Sequence, residues 1–210
     1  LLFCTGYCFN FPFFDQSQKK SSVICCDGNV VSPLIEHVAH PDYLKSLFFI
    51  GLNFLVDPFP CIDVQTHFAL ALLKDLVPPE ASKLFTMEEA KLREQERIEQ
   101  MKANQIPEKY FHKLGLDQWE YFRRLNTLSG FKSLPKVVER IYKHNFDLKR
   151  QDPLTYRNFR YQIVDEHDFI FIYSAARAGP GISRDLTPKP ENSEPDGTPA
   201  QHCSFTSLLR

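Results

Sequence analysis

The chain has 210 residues, 43% of them hydrophobic, and a formal net charge of −1. That length suits one sizeable core, or one core with an appendage. So even a charge balance gives no electrostatic reason to expect nucleic acid or an anionic membrane as partner.

The opening run Leu1 to Phe14 is apolar but has no positive leader, and Thr5, Gly6 and Asn10 interrupt it. It reads as neither a signal peptide nor a membrane span. Leu2 to Cys4 has the character of a strand end closed by Thr5-Gly6-Tyr7. Phe9, Phe11, Phe13 and Phe14 form an aromatic cluster expected to pack away from water. Asp27-Gly28-Asn29, between Val23 to Cys26 and Val30-Val31, is a hairpin signal. Leu1 as first residue, with methionines only at 87 and 101, suggests the C-terminal piece of something longer.

Leu47-Phe48-Phe49-Ile50 is short and aromatic-rich and stops at Gly51, which predicts a buried strand. Pro58 and Pro60 punctuate a loop, and Cys61 to Lys74 reads as a helix apolar on most of its circumference. Such a strand, glycine, loop and helix start can offer backbone N–H groups to a cofactor. A plain core strand and helix fit the same residues.

After Val77-Pro78-Pro79 the character changes. Thr86-Met87-Glu88-Glu89 is a capping box opening a charged helix to about Asn104, with Glu89 and Arg93 spaced for an i,i+4 pair. Met87, Ala90, Ile98 and Met101 make only a narrow apolar stripe, so this helix should lie on a surface. Asp117 caps another helix, carrying Trp119, Phe122, Leu125 and Leu128 and ended by Gly130. A third begins at Ser133-Leu134-Pro135, with Leu134, Val138, Ile141 and Leu148 on one face. Trp119 and the neighbouring tyrosines are expected to be packing anchors. Tyr161 to Tyr173 reads as extended around a polar turn at Asp165 to Asp168. Beyond Ser174, Pro, Ser and Gly dominate, and disorder is expected.

The motifs of common catalytic sites are missing. There is no G-x-G-x-x-G, P-loop, H-E-x-x-H or nucleophile elbow. His37 and His40 have near-ligand spacing, but no carboxylate or thiol cluster completes a metal site. Cysteines at 4, 8, 25, 26, 61 and 203 fit no zinc pattern or disulfide framework, and reduced, mostly buried thiols are expected. No residue declares itself a general acid, base or nucleophile.

Three ordered blocks carry a resemblance. Leu2-Phe3-Cys4-Thr5-Gly6-Tyr7 with Phe11-Pro12-Phe13 resembles the "F-A-T-G-Y … F-P-F" segment of flavin-containing monooxygenases. Val30 to His37 is similar to that family's "V-x-P-L-Y-K-H". Ile50-Gly51-Leu52, Phe54, Val56, Pro58-Phe59-Pro60, Asp63 and Gln65 match "I-G-L-x-F-x-V-x-P-F-P-x-x-D-x-Q" in order. Residues 1 to 173 are covered, in an arthropod-like style. Cys4 stands where alanine is commoner, Asp75 replaces a glycine, and Val77-Pro78-Pro79 departs from the usual "L-P-S".

The resemblance implies an α/β fold: the C-terminal fragment of a flavoprotein with two dinucleotide-binding domains. Residues 1–78 would complete the FAD-binding domain, 79–173 a helical extension ending in a strand-like segment, and 174–210 a disordered tail. It implies an enzyme of the N,N-dimethylaniline monooxygenase type, dependent on FAD and NADPH. One oxygen atom from O₂ would enter a small-molecule amine or sulfide, the flavin carrying the chemistry and the protein supplying position and shielding. Thr5, Gly6, Tyr7, Gly51 and Gln65 are the implied cofactor-binding residues. The helix starting near Pro60 would aim its N-terminus at the reduced ring. The family's nucleotide fingerprints and active-site asparagine lie upstream of the matched blocks, so the fragment alone is expected to be inactive. Alternatives are a Baeyer–Villiger or N-hydroxylating relative, or a non-catalytic truncated product. A cytoplasmic location is expected, with the endoplasmic reticulum surface as alternative; homo-oligomerisation stays open.

Overall fold

The computed structural model describes residues 8–14, 23–27 and 29–173. Cys25–Asp27 (β1) and Val30–Ser32 (β2) pair antiparallel, Cys26 opposite Val31, as the turn signal between them predicted. Ile24 and Val31 then bury against Phe49 and Leu52, and Phe9, Phe11 and Phe14 pack onto this small core. Phe13 departs from the expected packing: it is 76% exposed.

Residues 47–50 do not form the expected buried strand. The segment is extended and makes one bridge, Ala39 to Phe48, flanked by bonds from Phe49 N–H to the Val38 carbonyl and from His40 N–H to the Leu47 carbonyl. Pro41 follows at once and has no N–H to extend the ladder. Phe49 is buried, but Ile50 is 41% exposed.

Helix α1 spans Pro58–Leu73, starting earlier than the apolar run suggested because Pro58, with its φ preset, takes the first helical position. Its inner face, Cys61, Val64, Phe68, Ala71 and Leu72, forms the main core with Val38, Phe85 and Ala90. Its outer face carries Phe59, Ile62, Leu70 and Leu73, all exposed. A helix apolar all round is normally covered all round.

A single turn, α2 (Pro79–Ser82), leads to α3 (Met87–Ala103). The Thr86 hydroxyl accepts the Glu89 N–H at 3.2 Å, and Glu89 pairs with Arg93 at 2.8 Å. Ala90 and Met101 are the residues this helix buries, consistent with its narrow stripe. Helix α4 (Gln118–Ser129) lays Trp119, Tyr121, Phe122 and Leu125 against α1 and closes on Gly130 at φ +71. Asp117 stands at its N-cap position without a side-chain cap bond, unlike the expectation.

Helix α5 (Lys136–Gln151) and the hairpin β3 (Phe159–Ile163) and β4 (Phe169–Tyr173) complete the described chain. The hairpin register places Phe159 opposite Tyr173 and Tyr161 opposite Phe171, an aromatic ladder on one face. His144 of α5 bonds the Tyr161 hydroxyl at 3.0 Å and packs on the Phe171 ring. Asp165 accepts the His167 and Asp168 N–H groups in the turn.

Candidate cofactor-facing site

Of the five residues proposed from sequence, Gly51 stands in the loop between the 47–50 segment and α1, and Gln65 stands on α1 itself. Thr5, Gly6 and Tyr7 lie outside the described residues. Gly51 and Gln65 are brought together: the Gly51 N–H donates to Gln65 Oε1 at 2.9 Å. Gly51 sits at φ +86, a left-handed conformation that favours glycine, and a Cβ there would meet nothing within 4 Å. Leu55 is also left-handed, at φ +50. Leucine rarely adopts that conformation, and the bonds from Gly115 N–H to the Leu55 carbonyl and Leu114 N–H to the Phe54 carbonyl hold it there.

Gln65 is fully buried, and its amide is committed within the chain. Its Nε2 donates to Asn53 Oδ1 at 2.6 Å and to Tyr121 Oη at 2.9 Å. The polarity of this network is fixed at both ends by backbone carbonyls. Tyr121 gives its proton to the Glu36 carbonyl at 2.8 Å, so its oxygen is left to accept. Asn53 Nδ2 donates to the His112 carbonyl at 3.1 Å, so its Oδ1 is likewise left to accept. Gln65 must therefore turn its NH₂ to both and its Oε1 to Gly51. Burial is the main reason the Tyr121 phenol is pushed well above its ordinary pKa.

Beside this network lies a histidine pair. His112 Nε2 accepts the Val31 N–H at 3.0 Å, which assigns the proton of the neutral ring to Nδ1, facing His37 Nδ1 at 3.0 Å. His37 then accepts, with its own proton on Nε2. Burial, and next the Arg97 guanidinium, lowers the His112 pKa to about 3. Arg97 is held by the Phe111 carbonyl at 2.8 Å and lies over the Phe111 ring. The Glu36 carboxylate takes Arg124 in a two-pronged contact of 2.8–3.2 Å, with Arg93 at 3.6 Å. His37 with His40 does not form a metal site: the His40 ring bonds the Val23 carbonyl instead. Among the described residues no group of three or more His, Cys, Asp or Glu is arranged to hold a metal.

The start of α1 offers less than sequence suggested. Pro58 and Pro60 have no N–H, which leaves Phe59 as the single donor in the first three helical positions. The Asp57 N–H is occupied by Gln118 Oε1 at 2.7 Å. Burial raises the pKa of the Asp57 carboxyl, and burial with the Asp57 charge pushes the Cys61 thiol up to about 12. A carboxylate at this end opposes an anion. What the helix end can offer is its dipole, one amide and a flat apolar rim at Phe59.

The family resemblance pointed to Gly51 and Gln65 but gave no role to Asn53, Tyr121, His112 or Glu36, whose partners lie 12 to 88 positions away in sequence. Of the four described cysteines only Cys61 is buried; Cys8 and Cys25 are exposed, which corrects the expectation of mostly buried thiols. Cys25 and Cys26 are adjacent on a strand and so face opposite sides.

No protein-family model matches the chain. Among the proteins it is similar to in sequence are two from Arabidopsis thaliana. Flavin-containing monooxygenase FMO GS-OX-like 2 is 31% identical over 160 residues, covering 75% of this chain and 32% of the relative. Flavin-containing monooxygenase FMO GS-OX-like 3 is 28% identical over 158 residues, covering 75% and 33%. In structure it is similar to S-allyl-L-cysteine S-oxygenase from Allium sativum, with a TM-score of 0.63 and 29% identity over 74% of this chain and 33% of that one. The chain thus spans about a third of the length of the relatives it matches. By sequence and by fold, it is a homologue of the C-terminal part of the flavin-containing monooxygenases.

Proposed function

We propose that the chain forms the C-terminal part of an FAD- and NADPH-dependent monooxygenase that places one oxygen atom of O₂ on a sulfide sulfur or amine nitrogen of a small molecule. The observation that carries this reading is the Gly51–Gln65 bond, which ties the two ends of the motif block shared with the family into one open, left-handed turn. The S-oxygenase named among the structural neighbours favours sulfides over amines as the first substrates to test. FAD, when bound, supplies the oxygen-activating chemistry. The residues present fit one wall of such a site. Gly51 leaves open space where a side chain would stand, Phe59 adds an apolar rim and Leu52 closes the core behind the turn. Thr5, Gly6 and Tyr7 complete the proposed cofactor-binding set, and Gln65 contributes by holding the turn.

The complete protein has two nucleotide-binding domains in this reading, with the helical extension following position 78. Within the chain, one apolar core crosses that position, from Phe68 and Leu72 to Phe85 and Leu125. The 210-residue chain alone is expected to be colourless and inactive.

The test uses the complete enzyme carrying Gly51→Asn. Asparagine tolerates a left-handed backbone, whereas Gly51→Val would strain it and confuse fold with binding. The variant should fold yet retain less FAD, and NADPH-dependent sulfoxide formation should fall with it. Unchanged flavin content sinks the assignment. Oxygenation of cyclic ketones in place of sulfides would move the protein to the Baeyer–Villiger alternative.

A further inference from the structure

Tyr121 is a buried phenol on a helix outside the motif block that marks the cofactor turn, yet it is two hydrogen bonds away from that turn, through Gln65. Its ring is held by packing: Tyr121 is 2% exposed, beside Phe122, with the Arg124 guanidinium over its face. Its hydroxyl is held by the Glu36 carbonyl, and Glu36 is in turn gripped by Arg124 one turn along the same helix. The oxygen is therefore a fixed acceptor at a fixed place. Gln65 has no other way to satisfy a buried NH₂ facing both Asn53 and Tyr121 than to present its Oε1 to Gly51.

We propose that Tyr121 is a positioning residue for the cofactor-facing turn. It sets the amide face of Gln65 and so holds the Gly51 N–H inward, turning the open side of Gly51 outward. The helical extension thereby becomes part of the turn that meets the cofactor. The cofactor role of Gly51 rests on the function proposed above; the hold that Tyr121 has on Gly51 does not.

Amide exchange in the 210-residue chain, read residue by residue by NMR, tests the hold without any cofactor. Tyr121→Phe keeps the ring and removes the hydroxyl. The Gly51 amide should exchange roughly tenfold faster, the size expected for one net hydrogen bond, while Val64 and Phe68 amides in α1 keep their rates. Gln65→Met, which removes the acceptor itself, should open Gly51 at least as far, and adding Tyr121→Phe to it should change nothing further. An unchanged Gly51 rate, or equal acceleration through α1, overturns the proposal, because either result makes Tyr121 a packing residue only. So does a second, additive opening in the double variant. In the complete enzyme Tyr121→Phe should also weaken FAD retention. If Gly51 opens in the chain while FAD retention stays unchanged, the positioning role stands and the flavin-facing role of the turn fails.

Discussion

His112 shows how far a single side chain can be read from its partners. Its Nε2 accepts a backbone N–H and its ring is buried, so protonation would cost the Val31 bond and place a cation near Arg97. The folded-state pKa is depressed, to about 3 from an ordinary 6.5, so the folded protein refuses a proton that the unfolded chain accepts. Stability is therefore full above about pH 6.5 and falls as pH drops through the window down to about 3. Between about pH 7 and about pH 5 this one group should remove about 2 kcal/mol. Urea denaturation of wild type and His112→Gln at both pH values checks it. Glutamine keeps an acceptor for Val31 without titrating, so the variant should lose less stability on acidification. His37, also lowered chiefly by burial, adds in the same direction. Sequence named His37 and His40 as a pair to weigh and passed over His112. The tie between 37 and 112 is made by tertiary folding across 75 positions, which no local spacing encodes.

At the scale of elements, the sequence was legible wherever local chemistry decides the outcome. The hairpin at 25–32, the Thr86 cap, the Glu89–Arg93 pair, the Gly130 stop and the 159–173 hairpin all follow from turn residues, caps and periodicity. Thr86→Ala should destabilise the chain by about 1 kcal/mol, since the Glu89 N–H loses its acceptor; thermal unfolding reads the loss as a lower Tm. The 47–50 segment was misread for a physical reason. An apolar run with β-branched and aromatic residues favours extension, but pairing needs a partner strand, and Pro41 ends the available one after two bonds. The start of α1 was misplaced for another: apolar periodicity does not register a proline, whereas the first helical turn accepts it well. The turn at Gly51 was legible as a motif, while the bonds that hold it were not. Gly51 and Gln65 could be named from the family resemblance, while the bonds that decide what Gln65 does come from Asn53 and from Tyr121 on another helix.

At the scale of the whole molecule, two apolar faces of α1 meet different fates. The inner face is the core; the outer face leaves Phe59 83% exposed, with Ile62, Leu70 and Leu73 in line. Among the described residues no helix is long and apolar enough to cross a membrane. Left uncovered, the outer face should make the chain sticky in water. Leu70→Glu with Leu73→Lys should reduce binding of a hydrophobic dye and self-association in sedimentation, with little change in unfolding midpoint. Unaltered dye binding would place the exposed apolar surface elsewhere, for example at Ile170 and Ile172 on the hairpin.

The hydrogen-bond chain through Asn53, Gln65 and Tyr121 has a consequence for how these positions can vary. Because backbone carbonyls fix the direction of every bond, no member can reverse its donor and acceptor alone. Gln65→Glu would set a carboxylate oxygen against two acceptors, and the penalty could be relieved only by changes at 53 and 121 together. The three positions should therefore behave epistatically: in double-mutant cycles their coupling should fall between about 0.5 and 3 kcal/mol. Viable variants should be found as compatible triplets, with single exchanges at any one of them rare.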